Sequence, residues 1–383
     1  MSTSSRVYLD HAATTPVRPE VIATITEALG RLGNPASVHG EGRAARRMLE
    51  EARTTVAEVT GAEPDQVIFT SGGTEANNLA VQATGAVGVA VSAVEHASVL
   101  EAVPHARRVP VDRAGRIDLG ALDRILAQDR PSLLSVMLVN NETGVLQDCR
   151  AIADRCRETG VMLHVDAVQA LGKLERVRLD DLGCDMLTIS GHKVGGPAGI
   201  GALVARSGLA VPPRLRGGGQ EGRRRAGTHN LPAILGFAEA VRRLDPCEPS
   251  RLAGLGDRLE SLLLDLSPTS WIAGGDATRA PHITSLITPG RSAELQVIAL
   301  DLAGAAVSAG AACSSGKVGP SHVLTAMGLE AEAGCAIRIS LGWTTTEADL
   351  DRFATIFARI AASGSIGSKE RRSPLPNARA VAT

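Results

Sequence analysis

The 383-residue chain has very few aromatic side chains: two Trp, one Tyr and four Phe. Proteins that bind single-stranded nucleic acid stack the bases on aromatic rings, so this scarcity argues against such a function and predicts an aliphatic core. The chain also lacks an excess of either charge, because 40 Lys and Arg nearly balance 41 Asp and Glu and leave a formal net charge of −1. We therefore expect no overall field that would draw the protein to nucleic acid or to an anionic membrane.

Paired cysteines and long apolar runs are absent as well. None of the six cysteines belongs to a CxxC pair, which argues against a disulfide framework and against a structural zinc site. These cysteines are Cys149, Cys156, Cys184, Cys247, Cys313 and Cys335. Residues 1–15 contain no apolar signal-peptide core, and no apolar run approaches membrane-spanning length. These absences predict a cytoplasmic protein that does not cross a membrane.

Length and periodicity predict an α/β protein with two domains. A chain of 383 residues exceeds what one hydrophobic core usually holds. From about residue 67 to residue 205, near-continuous apolar runs alternate with helical patterns, which is typical of a mixed, mostly parallel sheet covered on both faces. A proline-rich break at 245–249 predicts a large domain at 16–247 and a smaller α+β domain at 248–365, completed by residues 1–15. Residues 366–383 are expected to form a disordered tail.

Polar side chains follow the predicted strands at their carboxyl ends, where sheets of this kind bind ligands. The residues are His96, Asp166, Gln169 and Lys193. An aspartate can keep the pyridine nitrogen of pyridoxal phosphate protonated, a histidine can stack on the ring, and an amide can bond the ring hydroxyl. A lysine whose pKa is lowered by burial can form a Schiff base with the aldehyde. Each residue alone also fits an ordinary role as a helix cap or a solvent-exposed side chain, but together at successive strand ends they describe one cofactor site.

A glycine turn, Gly72-Gly73-Thr74, opens a helix after the first of these strands. Backbone N–H groups and the Thr74 hydroxyl at a helix N-terminus would form a seat for an anion such as a phosphate. The same stretch also fits a helix start that is simply capped by Thr74.

Five stretches of the chain form a specific pattern. They are YLDHAATT at 8–15, FTSGGTE at 69–75, NNETG at 140–144, HVDAVQ at 164–169 and SGHK at 190–193. Together they resemble the cysteine desulfurases, pyridoxal-phosphate enzymes of the class V aminotransferase family, and the resemblance extends from Val7 to about Phe357. It implies fold type I of the PLP-dependent transferases, conversion of L-cysteine to L-alanine, and a homodimer.

The resemblance also implies a role for each matched residue. Lys193 would carry the Schiff base, Asp166 would pair with the pyridine nitrogen, and Gln169 would bond the ring hydroxyl. His96 would stack on the ring and move protons at the substrate thiol. The residues that would hold the phosphate are Gly73, Thr74, Ser190 and His192, with Thr228 supplied by the other subunit.

Two residues in the second half carry the remaining chemistry. Cys313 lies in a stretch rich in Gly, Ala and Ser, and composition alone favours an incidental loop cysteine. By resemblance it is the nucleophile that takes the sulfur as a persulfide for an iron–sulfur scaffold or another acceptor protein, and it would be a ligand shared with that partner's iron–sulfur cluster. Arg338, on an otherwise apolar strand, needs an anionic partner. Alone it fits a structural ion pair, whereas by resemblance it clamps the substrate carboxylate with help from Asn141.

Other functions stay open on the sequence. A selenocysteine lyase or another class V enzyme is one alternative, and the presence of Cys313 is the feature that distinguishes sulfur transfer from selenide release. A non-catalytic sulfur-transfer scaffold is another, although a scaffold would have no need of Asp166, Gln169 and Lys193 together. A nucleotide-binding protein is excluded, since neither GxxxxGK[ST] nor GxGxxG follows a strand.

Overall fold

The computed structural model describes residues 6–83, 85, 88–310 and 319–364. The strands are β1 Val7–Tyr8, β2 Val67–Thr70, β3 Val89–Ser92, β4 Arg107–Val109, β5 Leu133–Met137, β6 Met162–Asp166, β7 Met186–Ser190, β8 Gly201–Ala205, β9 Trp271–Ile272, β10 Ile283–Ile287, β11 Ala305–Ala306, β12 Ser308–Ala309 and β13 Ala336–Ser340. The helices are α1 Pro19–Leu29, α2 Gly40–Thr60, α3 Gly73–Val81, α4 Ala97–Leu100, α5 Leu119–Gln128, α6 Cys149–Thr159, α7 Leu179–Leu182, α8 Leu231–Arg242, α9 Glu248–Leu266, α10 Ala293–Leu302, α11 His322–Ala326 and α12 Glu347–Gly364. Short 3-10 turns lie at Pro64–Gln66, Gly191–Lys193 and Gln220–Arg223.

The larger sheet has seven strands in the order β2-β8-β7-β6-β5-β3-β4. Strands β4, β3, β5, β6 and β7 pair in parallel, whereas β8 runs antiparallel to both of its neighbours. The connection from β7 to β8 contains no α-helix, which agrees with the reversal, because parallel strands are usually joined by a helical crossover. The predicted fold, a mixed and mostly parallel sheet with a smaller α+β part, is confirmed.

Helices cover both faces of this sheet, so its strands are apolar on both sides. Every residue of β5, β7 and β8 is buried. Neighbouring residues point to opposite faces: Phe69 and Leu134 pack in one apolar core, while Ile68 and Leu133 pack in another. Those cores consist almost entirely of Val, Leu, Ile and Ala, as the scarcity of aromatic residues predicts.

Helix ends follow the local sequence. Helix α6 begins where the Asp148 carboxylate accepts the Ala151 N–H, and it ends at Gly160 with φ +73°. Helix α2 ends in the same way at Gly61, with φ +67°. A left-handed residue at the end of a helix satisfies its last carbonyls, and glycine adopts that conformation without a steric penalty.

The smaller sheet is antiparallel, in the order β12-β13-β10-β9. The N-terminal segment joins this half of the molecule, because β1 pairs in parallel with β11 and both Val7 and Leu9 pack in the same apolar core as Phe353. The segment then reaches the larger sheet through residues 10–15. The domain boundaries at 16–247 and 248–365 stay a prediction.

Two strands were not predicted from the sequence. Strand β4 is a three-residue edge strand that begins with two arginines, and β9 has only two residues. Neither is long enough to show a two-residue periodicity.

Cys313 and the predicted tail at 366–383 lie outside the described residues. Within the described ranges, no helix is both long and apolar enough to cross a membrane.

Candidate active site

A cleft of about 320 Å³ lies at the carboxyl ends of the central strands, where the larger sheet faces β13. Ten residues that the sequence singled out line it: Gly73, Thr74, His96, Asn141, Asp166, Gln169, Ser190, His192, Lys193 and Arg338. They come from separate parts of the chain. The residues of the larger sheet meet because its parallel strands end at the same edge, whereas Arg338 comes from the smaller, antiparallel sheet.

Lys193 ends the 3-10 turn that follows β7. Its amine donates hydrogen bonds to the carbonyl oxygens of Ala12 and, at 2.7 Å, of Ala13. The turn needs a glycine at position 191, because a Cβ there would lie 2.7 Å from the Ile200 Cγ2 atom. The N-terminal segment therefore orients the Lys193 side chain. The close approach of Ile200 to Gly191 restricts the backbone of the turn.

Asp166 is the last residue of β6 and is buried. Its carboxylate accepts a 2.7 Å hydrogen bond from the Asn77 side-chain amide and a 2.9 Å hydrogen bond from the Val168 N–H. Sequence reasoning missed Asn77. The signal that could have found it is its spacing of one helical turn after Thr74, which places both side chains on the same face of α3.

Several buried polar atoms at the cleft lack a partner among the described residues. They are Asn77 Oδ1, Gln169 Oε1, Ser190 Oγ and Arg338 Nε. Gln169 uses its other atom to donate a 2.8 Å hydrogen bond to the Ala12 carbonyl. Buried polar groups in folded proteins nearly always have partners, so such a cluster indicates a place for a polar ligand.

Helix α3 begins beside these atoms. A Cβ at Gly73 would lie 2.9 Å from Val168 Cγ2 and 3.6 Å from Ser190 Cβ, so only glycine lets the start of the helix come this close. The N-cap residue is Gly72, which has no side chain, so the alternative in which Thr74 caps the helix is wrong. The N–H groups at this end are available to an anion in the cleft.

Two histidines lie at other positions around the cleft. His96 is half-buried at the N-cap of α4, where its Nδ1 accepts the Ser98 N–H at 3.1 Å. His192 lies 3.3 Å from the Thr14 hydroxyl. Burial, together with the charges of Lys193 and Lys173, lowers the pKa of His192 to about 4, so its ring is neutral near pH 7.

Glu95 lies just before His96 and is completely buried. Burial, reinforced by the charge of Asp166, raises its pKa well above the ordinary value. One oxygen accepts the Met137 N–H at 2.7 Å. Glu95 therefore favours its neutral, protonated form more strongly than an exposed glutamate does.

Arg338 reaches the cleft from β13 of the smaller sheet and is only 2% exposed. It donates to the Asp10 carboxylate at 2.8 Å and to the Asn141 carbonyl at 3.0 Å. Asp10 in turn accepts a 2.8 Å hydrogen bond from Ser308. The structural ion pair that the sequence analysis gave as one alternative for Arg338 is therefore present. It holds the guanidinium at the edge of the cleft. The Nε atom has no partner among the described residues.

Thr228 is exposed and is not part of the cleft lining. It lies between Arg224 and His229, which line a larger hollow of about 620 Å³ together with Arg53 and Glu221. The polar groups there satisfy one another: Glu221 accepts from Arg53 at 2.7 Å and contacts His229 at 2.7 Å. Burial raises the pKa of Glu221, but these hydrogen bonds outweigh it and lower the value to about 2.

The residues that flank the predicted cysteine loop meet at Glu142. Ser321 donates a 2.5 Å hydrogen bond to its carboxylate, and a Cβ at Gly310 would lie 2.5 Å from the same oxygen. Cys313 lies outside the described residues, so its predicted roles as nucleophile and iron–sulfur ligand stay predictions. Among the described residues no cluster of three or more His, Cys, Asp or Glu could hold a metal ion.

Comparison with known proteins agrees with the geometry. The profile of the family described as Aminotransferase class-V matches residues 7–353. The chain is 40% identical to a cysteine desulfurase of Cereibacter sphaeroides, covering 93% of this chain and 95% of the relative, and 38% identical to cysteine desulfurase IscS of Dictyoglomus turgidum, covering 92% and 94%. The crystal structure of a NifS-like protein from Rickettsia africae superposes with a TM-score of 0.86 at 35% identity, covering 93% of this chain and 99% of that one.

Proposed function

The chain belongs to the cysteine desulfurases of the class V aminotransferase family, which use pyridoxal phosphate, and we propose that its cleft converts L-cysteine to L-alanine while Cys313 takes the sulfur. The observation that carries the proposal is the meeting in one cleft of the Lys193 amine, the Asp166 carboxylate and the Arg338 guanidinium. The Lys193 amine can bind an aldehyde cofactor, and the Asp166 carboxylate can pair with the ring nitrogen of that cofactor. The Arg338 guanidinium can bind the carboxylate of an amino acid.

The residues at the cleft fit the cofactor. The unpartnered oxygens of Asn77, Gln169 and Ser190 face a cavity that also contains the N-terminus of α3. A phosphate needs N–H and O–H donors, which α3 and Ser190 supply, and a ring hydroxyl needs an amide, which Gln169 supplies. The donor set therefore matches a phosphorylated aromatic aldehyde.

When bound, pyridoxal phosphate supplies an electron-withdrawing ring that stabilises negative charge at the substrate α-carbon. Asp166, oriented by Asn77 and the Val168 N–H, would keep the ring nitrogen protonated. Gly73, Thr74, Ser190 and neutral His192 would bind the phosphate, and Gln169 would bind the ring hydroxyl. His96 would stack on the ring.

Substrate binding would use the smaller sheet. Arg338 would bind the carboxylate of L-cysteine, assisted by Asn141, and the two hydrogen bonds to Asp10 and to the Asn141 carbonyl hold the guanidinium in place. Lys193, once its amine is free, would take the proton from the substrate α-carbon. His96 would take the proton of the substrate thiol.

Sulfur transfer balances without an outside oxidant. The Cβ–S bond of cysteine breaks, an S–S bond forms on Cys313, and the former Cβ takes a proton, so cysteine and a thiol give alanine and a persulfide. The carbon is reduced and the sulfur is oxidised in the same step. Delivery to an iron–sulfur scaffold or another acceptor protein would then restore the thiol.

The position of the loop supports a role for Cys313. Ser308 pairs with Arg338 across β12 and β13, so the start of the loop lies beside the residue that would bind the substrate carboxylate. Cys313 follows Gly310, the last described residue before it, by three residues, which span at most about 11 Å when extended. That reach starts beside β13, the strand that carries Arg338.

A direct assay tests the proposal. With a thiol reductant such as dithiothreitol present to reduce the persulfide, the purified protein should bind pyridoxal phosphate and release alanine and sulfide from L-cysteine, and borohydride should fix the cofactor to Lys193, as located by mass spectrometry. Cys313→Ala should still bind cysteine but release no sulfide. Cys247→Ala is the matched control, since Cys247 is an exposed cysteine. Full activity of Cys313→Ala, or a cofactor fixed to another lysine, would contradict the assignment.

The proposed enzyme is a cytoplasmic homodimer in which Thr228 of one subunit completes the phosphate site of the other. Exposed apolar side chains support such an interface: Leu215 is 51% exposed beside Gly227, and Leu32 and Val38 are 87% and 88% exposed. Sedimentation should give the mass of two chains. Thr228→Ala should weaken cofactor binding, and mixed dimers with Lys193→Ala should regain one intact site; no recovery in the mixture would refute a role in trans.

A further inference from the structure

Lys173 is a buried lysine to which the proposed chemistry assigns no role. It lies in the segment after β6 and is 6% exposed. Its amine donates a 2.7 Å hydrogen bond to the main-chain carbonyl of Lys193. The two lysines are thus connected through the backbone of the turn Gly191–Lys193.

Groups from five parts of the fold face Lys173. They are Lys193 and His192 on the turn, His11 in the N-terminal segment, Arg18 before α1, Glu248 at the start of α9 and His282 before β10. Glu248 is the acid among them, and Arg251 already binds it with two hydrogen bonds at 2.8 and 2.9 Å. Glu248, the acid near Lys173 among the described residues, therefore already has a cationic partner.

The histidines in this cluster add no charge near neutral pH. Burial, together with the charge of Lys173, lowers the pKa of His11 to about 4. Burial, with Lys173 and His11 contributing, lowers the pKa of His282 well below its ordinary value. Of the cations in this cluster, Lys173 is the one that contacts the turn bearing Lys193, and Arg18 adds a positive charge near Lys173.

The two lysines oppose each other's protonation. Burial, followed by the charge of Lys193, lowers the pKa of Lys173 to about 7. Such coupling is reciprocal, because a proton on either amine makes a proton on the other less favourable. A neutral amine is the form that attacks an aldehyde and accepts a proton, so the coupling favours the reactive form of Lys193.

We propose that Lys173 is a positioning residue for Lys193: it holds the catalytic turn through the Lys193 carbonyl and supplies a nearby positive charge that favours the neutral Lys193 amine. The inference rests on the proposed function, in which Lys193 binds the cofactor. It assigns Lys173 no contact with substrate or cofactor.

Three variants separate the charge from the hydrogen bond. Lys173→Arg keeps both, Lys173→Gln keeps a donor without charge, and Lys173→Met removes both at similar volume. The measurement is the pH titration of the visible absorption band of the holoenzyme, which follows protonation of the nitrogen of Lys193. We expect the midpoint to rise by about one unit in the Gln and Met variants, because a neighbouring positive charge is lost, and to stay near the wild-type value in the Arg variant.

If Lys173 only stabilised the fold, removing its charge would not raise this midpoint consistently in the Gln and Met variants. Unchanged midpoints in both the Gln and Met variants would overturn the inference, and so would an equal rise in the Arg variant. Arg157→Gln, which removes an exposed charge on α6, is the control and should leave the titration unchanged. If the wild-type protein binds no cofactor at Lys193, the proposed function fails instead, which distinguishes the two failures. The acid limb of the pH profile of kcat/KM should shift with the absorption midpoint, because kcat/KM reports groups of the enzyme before substrate binds.

Discussion

Replacing Arg338 by lysine should weaken binding of the substrate carboxylate without destroying the fold. Lysine keeps a positive charge for Asp10, which alanine would leave without its partner, but it has a single nitrogen where arginine presents a fork. In the structure two nitrogens of the fork bind Asp10 and the Asn141 carbonyl, and the third has no partner among the described residues. A lysine that satisfies Asp10 can no longer hold a second oxygen in the same plane.

The magnitude follows from the number of bonds that are lost. A hydrogen bond between charged groups contributes about 1.5–3 kcal/mol. The loss of one such bond to the substrate carboxylate should lower kcat/KM by about 10- to 150-fold, since 1.4 kcal/mol corresponds to a factor of ten. Most of the loss should come from a higher KM, because the carboxylate is bound equally in the ground state and in the transition state.

The assay is the initial rate of alanine formation against cysteine concentration, with thermal unfolding measured alongside. Arg279→Lys is a matched control, since Arg279 makes a comparable fork with Glu260, at 2.7 Å for each bond, and does not line the cleft. It should leave KM unchanged. If Arg338→Lys has the KM of the wild-type protein while it folds normally, Arg338 is only part of a structural ion pair and the reasoning fails.

Three further substitutions test other parts of the structure. Glu221→Gln should lower the free energy of unfolding in urea by about 3 kcal/mol near neutral pH, because buried Arg53 loses its buried acidic partner and is left with the half-exposed Glu50. The pKa of Glu221 is about 2 when folded and 4.5 ordinarily, so this stabilisation is present above pH 4.5 and should disappear as the pH falls towards 2. Asp166→Asn should bind the cofactor yet lower kcat by about 100-fold or more, since an amide cannot keep the ring nitrogen protonated. Gly191→Ala should lower stability by about 1–3 kcal/mol and reduce cofactor content, because its Cβ would lie 2.7 Å from Ile200.

Each of these has a contradicting outcome. An unfolding difference between Glu221→Gln and the wild-type protein that persists unchanged at pH 2 would show that the ion pair is not its source. Normal turnover of Asp166→Asn would remove the carboxylate from its assigned role. A stable Gly191→Ala protein with full cofactor content would mean that the turn tolerates a side chain.

Residues at strand ends could be located from the sequence because a simple rule connects pattern with position. Apolar runs identify the strands of a parallel sheet, and the residue after each run must lie at the carboxyl edge. Asp166, Gln169 and Lys193 follow that rule, and all three line one cleft. Strand β4 escaped because its two arginines and short length hide the pattern of an edge strand.

Contacts between distant parts of the chain were not predictable in this way. Arg338 could be recognised as a cation that needs an anion, but its partner Asp10 lies 328 residues away. Asn77 binds Asp166 across 89 residues, and Lys173 reaches a carbonyl on a neighbouring loop. These pairings depend on the order and register of strands and on where the N-terminal segment crosses the sheet.

The sequence alone determined which chemical groups this protein brings to its cleft, because periodicity assigns each residue to a strand end or to a buried strand. The tertiary structure decided which of those groups touch, how deeply each is buried, and hence which carry charge. Glu95 and Asp166 are both carboxyl groups near strand ends, yet complete burial raises the pKa of Glu95 well above its ordinary value, while Asn77 and the Val168 N–H donate hydrogen bonds to the Asp166 carboxylate. Desolvation and hydrogen bonding act through three-dimensional neighbours, and no spacing along the chain encodes them.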